Sequence, residues 1–478
     1  MGEHVNICLT RLPAIVLGLV ALLVISPIVA AATPPANPGN PAEPATERTL
    51  HLEAIEVTGN HHTSEHIILR YITIEPGDEV NVDVLETNRQ RLLATDYFTS
   101  VEFSTRPGSV RGAVVLVIEV KERGFPSFET GFGYDDLYGW FLTLLGLRFD
   151  NTLGIESQFR MGLRFGFRIA GVDAEWSKPI PPDGGFGYAA RFHIYNQSHL
   201  FYGSGPEGTD PWQGTQWKRF RQDIARAGAE AALRYRYGGA TRFSIGIQVE
   251  ANKPDSAFTD PEKDKEFNFD ALPEEIQNDL GRNTTTGFFF RVLRDTRDFG
   301  DFPLSGSFTR LTLEFNNSFL GGDHIFSKAT GDYRKHFALG KKTVISSRLS
   351  GGIISSGAPY YERFYLGGNY SIRGFAEWSL SPAVGDDAYW LTNIELRTPL
   401  IDSRRGQPKL TGLLFIDAGQ GWQRGTDFSI DDVESAIGWG LRLRLPWVGT
   451  FGMDVGIPLS EGRTGDEFRV HGLLGFSF

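Results

Sequence analysis

FTRLTLEFN, running from Phe308 to Asn316, puts Leu311, Leu313 and Phe315 on one side of an extended chain and Arg310, Thr312 and Glu314 on the other. Segments of this kind, about ten residues long, recur through residues 124–478. They include GWFLTLLGLRF, SQFRMGLRFGF, YAARFHIY, TRFSIGIQVE, GFFFRVLR and TVISSRLSGG. Gly and Arg break the alternation in several of them. A soluble β-sandwich needs an apolar inward face along every strand. A barrel in a bilayer has lipid outside and water or polar groups inside, so its inward positions tolerate glycine and charge.

Counting outward gives sixteen segments, the first at Ser127–Tyr134 and the last at Arg469–Phe478. An even number of antiparallel strands, with short turns on one side and long loops on the other, is the pattern of bacterial transmembrane barrels. The connections 150–153, 179–185, 238–239, 338–342 and 446–449 are short, whereas 197–223, 252–283 and 355–387 are long. The link 166–167 is short for an external loop, and 295–305 is long for a turn. The expected fold is therefore an all-β, sixteen-stranded antiparallel transmembrane barrel over residues 124–478.

Composition agrees. Aromatics make up 13% of the 478 residues, with 36 Phe, 56 Gly and only 3 Met. The mean hydropathy is nevertheless only −0.21, as expected when apolar and polar positions alternate. The net charge of −11 leaves no basic footprint for nucleic acid. The single cysteine, Cys8, lies in the N-terminal segment, so the rest of the chain holds no disulfide and no cysteine-based metal site.

Residues 1–32 read as an export signal: Arg11, an apolar run from Ala14 to Val29, then Ala30-Ala31-Ala32 as a cleavage site. An uncleaved anchor helix is the alternative, disfavoured by the short run and Pro27. Residues 33–48 are rich in Pro, Ala and Asn and read as a disordered linker. Residues 49–123 then read as one small α+β domain of order β-α-α-β-β: a strand from Leu50 to Val57, a helix that Ser64 can cap, a turn at Pro76-Gly77-Asp78, a helix from Val82 to Ala94, and strands at 101–105 and 113–121. His62-Thr63-Ser64-Glu65-His66 fits the H-x-x-E-H spacing of inverted zinc peptidases. It falls on the first turn of a short helix with no downstream acidic ligand helix, so no metal site is assigned; capping and the helix dipole account for Ser64 and Glu65. G-x-S-x-G, Walker and dinucleotide motifs are absent, so no catalytic residue and no cofactor is assigned.

IEVTGN, the PGD turn, LLATDYFTSVEF and VVLVIEVKER resemble a POTRA domain, a module that binds extended segments by strand addition. FYLGGNYSIRGF, residues 364–375, resembles the sixth-loop motif of the BamA-type outer-membrane assembly and translocation superfamily. That resemblance implies a loop folded back into the lumen, with Gly367, Gly368, Ile372, Arg373, Gly374 and Phe375 as its motif. It also implies inner-wall carboxylates that receive Arg373, at Glu395 in TNIELRTPL and Asp417 in LLFIDAGQGW. The chain end, with Val470, Leu474, Phe476 and Phe478 on one face, looks like the signal read by the outer-membrane insertion machinery. The resemblance implies an outer-membrane barrel with a periplasmic POTRA domain, whose partners are bilayer lipid and unfolded or nascent outer-membrane or secreted proteins. In the family the first and last strands pair weakly, and Gly131, Gly133, Gly472 and Gly475 would weaken that seam here. A passive pore or structural surface antigen is a second reading. A secretion pore dedicated to one partner protein is a third, although that class usually carries two POTRA units.

Overall fold

The computed structural model describes residues 50–478 apart from 96, 125, 136–138, 153, 155, 167, 181–184, 205–216, 261–264, 267–272, 299–301, 341, 402–407, 427, 446–448, 461–466 and 475–478. The expected export signal and linker, and the last four residues, including Phe476 and Phe478, thus lie outside the described residues.

The N-terminal domain runs β1 (His51–Thr58), α1 (Glu65–Leu69), α2 (Val82–Leu93), β2 (Phe98–Pro107) and β3 (Ala113–Glu122). Its sheet has the order β1-β3-β2, with β1 parallel and β2 antiparallel to β3. The apolar stripes of both helices cover one sheet face, where Leu52, Ile67, Ile68, Leu92, Phe98, Leu116 and Ile118 form a closed core. Asn81 caps α2 by accepting from the N–H groups of Asp83 and Val84. The cap of α1 differs from the sequence expectation. Ser64 occupies the N-cap position, but its side chain makes no capping bond. In the turn that precedes the N-cap, the carboxylate of Glu122, from the end of β3, accepts from the N–H groups of His61, His62 and Thr63 at 3.1, 3.0 and 2.7 Å. A residue distant in sequence thus fixes the turn that leads into α1.

Sixteen long strands follow. They are β4 (Ser127–Asp135), β5 (Gly139–Thr152), β6 (Ser157–Gly166), β7 (Ile169–Lys178), β8 (Phe186–Ser204), β9 (Trp217–Tyr237), β10 (Thr241–Asp260), β12 (Asn283–Asp295), β13 (Gly306–Asn316), β14 (Phe326–Ala338), β15 (Val344–Ile354), β16 (Ala388–Ile401), β17 (Leu410–Trp422), β18 (Glu434–Leu445), β19 (Gly449–Pro458) and β20 (Arg469–Leu474). A two-residue strand, β11 (Lys265–Glu266), pairs with the end of β10, and a short helix, α3 (Glu274–Asn278), precedes β12. The long strands form one antiparallel sheet whose order returns from β20 to β4, closing a barrel. Leu233, Ile245, Ile247, Phe288, Phe315, Leu349, Ile394, Leu414, Trp439 and Val470 are exposed on its outer face. An apolar surface of that extent belongs in hydrocarbon.

Three strands outgrow the sequence reading. β8, β9 and β10 span 19, 21 and 20 residues, and β8 and β9 stay paired out to Ser204 and Trp217. The extensions lack apolar-out alternation because their inner face meets protein. His199 and Phe201 are buried there; His199 meets Tyr360 of the loop between β15 and β16 edge-on and Phe201 packs against the same ring at a tilt.

The two domains meet at the turn between β5 and β6. Glu156, only 2% exposed, accepts from Arg70 Nη1 at 2.6 Å and from Tyr71 Oη at 3.4 Å, and Tyr97 Oη donates to its backbone oxygen at 3.4 Å. Asn151 Nδ2 donates to Thr63 Oγ1 at 2.8 Å. Asn151 and Glu156 both adopt positive φ, 51° and 63°, a conformation a non-glycine residue holds only where surrounding contacts fix it.

Candidate functional site

The loop 355–387 leaves β15, turns back into the barrel and rejoins the wall at β16. A 3-10 turn at Tyr360–Glu362 seats its first part, where Tyr360 and Tyr361 pack with Phe201, Ile224 and Ile276. Residues 371–377 are all buried. Within the loop, Leu366 N–H donates to Ser381 Oγ at 2.8 Å and Asn369 N–H to Glu377 at 2.9 Å. These bonds satisfy backbone groups that no β-ladder serves.

Arg373 stands at the centre with no solvent exposure. Its Nε and Nη2 form a two-pronged contact with Asp417 of β17, both at 2.8 Å, and its backbone N–H reaches the same carboxylate at 3.1 Å. Nη1 meets Glu395 of β16 at 2.6 Å and Asp454 of β19 at 3.2 Å. The guanidinium lies 3.6 Å from the centre of the Phe415 ring. A planar fork of donors suits this bidentate recognition better than an ammonium. Strand register explains the convergence. Asn393 pairs with Asp417, Phe415 with Gly438, Gly438 with Gly456, and Asp454 with His471, which makes an inward-facing staircase across five strands, stepping by two residues at β17 and at β19.

Glu395 and Asp417, named from the sequence, are thus brought to Arg373. Several partners were not. Asp454 is shared with Arg442 of β18, which donates to it at 2.6 and 2.8 Å. Glu395 also accepts from Arg397 at 2.7 Å, and Asn393 Nδ2 donates to Asp417 at 2.9 Å. Three guanidiniums and three carboxylates are therefore buried together. His471 of the last strand accepts from Gly374 N–H at 3.1 Å, tying the loop to β20. One signal could have flagged Asp454. In FGMDVGIP the inward positions read Gly452, Asp454, Gly456, an acid between two residues without side chains, which leaves room for groups from elsewhere.

Gly374, at φ 96°, crosses directly over Gly456, and a Cβ on Gly456 would collide with the Gly374 backbone. Ile372 and Phe375 flank Arg373 and bury themselves against Ala436. Gly367 and Gly368 are buried in the same loop. Leu474 is the last described residue of β20.

Residues 151–478 match the family described as the Omp85 superfamily domain. The chain belongs to the Omp85 superfamily. Residues 51–123 match the POTRA family, described as a surface antigen variable number repeat. Among curated relatives, outer membrane protein assembly factor BamA of Nitratidesulfovibrio vulgaris is 24% identical over 430 residues, covering 87% of this chain and 50% of the relative. Sorting and assembly machinery component 50 homolog A of Xenopus laevis is 27% identical over 213 residues, covering 40% of this chain and 45% of the relative. The chain thus spans about half the length of these curated relatives. In fold it resembles BamA from Haemophilus ducreyi lacking POTRA domains 1–3, with a TM-score of 0.69, 18% identity and coverage of 89% of this chain and 84% of that one. CdiB from Acinetobacter baumannii is a more distant neighbour, with a TM-score of 0.51, 14% identity and coverage of 89% and 73%. This Omp85 chain is an outer-membrane barrel with its POTRA domain in the periplasm.

Proposed function

We propose that this Omp85 chain inserts or translocates other proteins at the outer membrane, taking unfolded or nascent outer-membrane or secreted polypeptides as clients. The observation that carries the reading is the infolded loop. Arg373 is held by carboxylates from three wall strands, and the adjoining Gly374 is held by His471 of the last strand. A loop pinned beside the strand that closes the barrel can keep the lumen blocked while that strand's edge is offered to an incoming chain. A strand edge presents unpaired N–H and C=O groups, and these template a new strand. In this reading Arg373, Glu395 and Asp417 position the loop, and Leu474, Phe476 and Phe478 form the chain's own insertion signal. The POTRA domain presents clients at the periplasmic mouth. In the bilayer, backbone pairing of the client itself supplies the driving force, because unpaired groups there are costly. No residue is assigned to bond-breaking chemistry, and no nucleotide is invoked.

The test is depletion of the chain followed by proteomics of the outer membrane. Loss of several barrel proteins is the expected result. Loss of one secreted protein alone would favour a dedicated secretion pore, and unchanged proteins with altered solute uptake would favour a passive pore. Either would overturn the general role.

A further inference from the structure

We propose that the chamber between the POTRA domain and the periplasmic mouth of the lumen binds acidic stretches of client polypeptide, through the guanidiniums of Arg91 and Arg236. The proposal rests on the client-handling reading above and names the chemistry that such clients would carry.

The chamber has a volume of about 820 Å³, within the range of ligand-binding clefts. Arg70 and Arg91 line it from the POTRA side, and Glu175, Arg234 and Arg236 from the barrel wall. Among the described residues that line it, charge is not balanced. Arg70 is neutralised by the buried Glu156 behind it at 2.6 Å. Among the described residues the single lining carboxylate, Glu175, is shared between Arg191 at 2.9 Å and Arg234 at 3.7 Å. Among the described residues, Arg91 and Arg236 have no acidic partner, and Arg236 Nε is buried without a hydrogen bond. Arg236 is half-buried and Arg91 is exposed at the rim; a half-buried guanidinium without counter-charge is unfavourable, and a carboxylate held on it and steered by Arg91 relieves that cost.

Position selects a peptide over a lipid headgroup. Leu233, Tyr235 and Tyr237 are exposed on the outer face of β9, so Arg234 and Arg236, at the alternate positions, face the lumen. Thr73, Thr95, Gln158 and Ser177 also line the chamber and offer hydrogen-bonding groups to an extended backbone. The contacts at Glu156 hold the POTRA wall of the chamber against the barrel.

The test uses the full chain in detergent with a fluorescent ten-residue peptide carrying four Asp, its Asn counterpart and its Lys counterpart, read by anisotropy. The acidic peptide should bind about tenfold tighter than the Asn peptide, as expected of two partly exposed charge pairs. The preference should shrink with salt and disappear in an Arg91→Gln/Arg236→Gln variant that keeps wild-type heat-modifiable gel mobility. Equal binding of the acidic and Asn peptides, or an unchanged preference in the variant, would overturn the proposal. So would full displacement of the acidic peptide by phosphatidylglycerol micelles, which would assign the cations to headgroups. Barrel insertion into liposomes, measured in parallel with a neutral client, reports on the assembly role separately. Loss of acid preference with insertion intact sinks only the chamber, and absence of insertion by the wild type sinks the broader reading.

Discussion

Replacing Arg373 with alanine removes the one group that binds all three wall carboxylates, and the structure shows which of them is stranded. Asp454 keeps its two bonds from Arg442, and Glu395 keeps Arg397. Asp417 loses both side-chain bonds from the guanidinium and retains Asn393 Nδ2 and the backbone N–H of residue 373. A fully buried carboxylate without a cation is the costly product, and removing one partner of a buried pair destabilises by about 3–5 kcal/mol. Arg373→Ala should therefore lower the unfolding midpoint of the barrel in detergent, weaken its heat-modifiable gel mobility and fail to complement depletion of the wild type. A second substitution separates charge from packing. Asp417→Asn on the Arg373→Ala background should recover about 1–2 kcal/mol, because it removes the stranded charge and keeps an amide near Asn393. A single variant with wild-type mobility and full complementation would refute the reasoning. A double variant no more stable than the single would show that lost packing over Phe415, not the stranded acid, carries the effect.

Further expectations concern other contacts. Gly456→Ala places a methyl against the loop backbone and should destabilise by about 1–3 kcal/mol, with increased labelling of a cysteine placed at Tyr370, the exposed tip of the loop. Unchanged stability and labelling would mean that the loop does not lie on β19. Glu156→Ala frees Arg70, Tyr71 and Tyr97 from the β5–β6 turn, so trypsin should cut after Arg123 at least several-fold faster while the barrel keeps its mobility; equal cleavage rates count against the joint. Glu122 gives a pH dependence. Burial raises the pKa of its carboxyl, but the N–H groups of Thr63, His62 and His61 lower it further, so the net shift is downward. With the folded pKa depressed, its stabilisation is complete above the ordinary carboxylate range and is lost as pH falls through that range and below. Hydrogen exchange at residues 61–63 should accelerate on acidification in the wild type and be fast and pH-insensitive, after correction for intrinsic rates, in Glu122→Gln.

The barrel was legible in the sequence because each strand repeats one local rule, apolar outward and small or charged inward, and sixteen strands follow from that rule alone. The same rule fails on the upper parts of β8, β9 and β10. There the inner face meets the loop at Tyr360 rather than water, and the periodic signal fades while pairing continues. Around Arg373, the two acids on β16 and β17 stand within recognisable motifs. Asp454, Arg442 and His471 do not, because their partners are set by register between strands, a relation that no single segment carries. The α1 cap shows the same limit. Ser64 stands at the N-cap position without a capping bond, and the turn before it is fixed by Glu122, about sixty residues away, which takes the three N–H groups of residues 61–63.

The bare backbone crossing of Gly374 over Gly456 has an evolutionary consequence. Two positions 82 apart in the chain constrain one crossing: the space a side chain would need on Gly456 is taken by the main chain of Gly374, while Gly374 holds a φ of 96° and a Cβ there would press on Ala436 and Gly456. Drift at one of them cannot be absorbed locally; it would require the loop to lift from the wall and surrender the guanidinium contacts beside it. In descendants of this chain the two glycines should be kept or lost together, as a single heritable character.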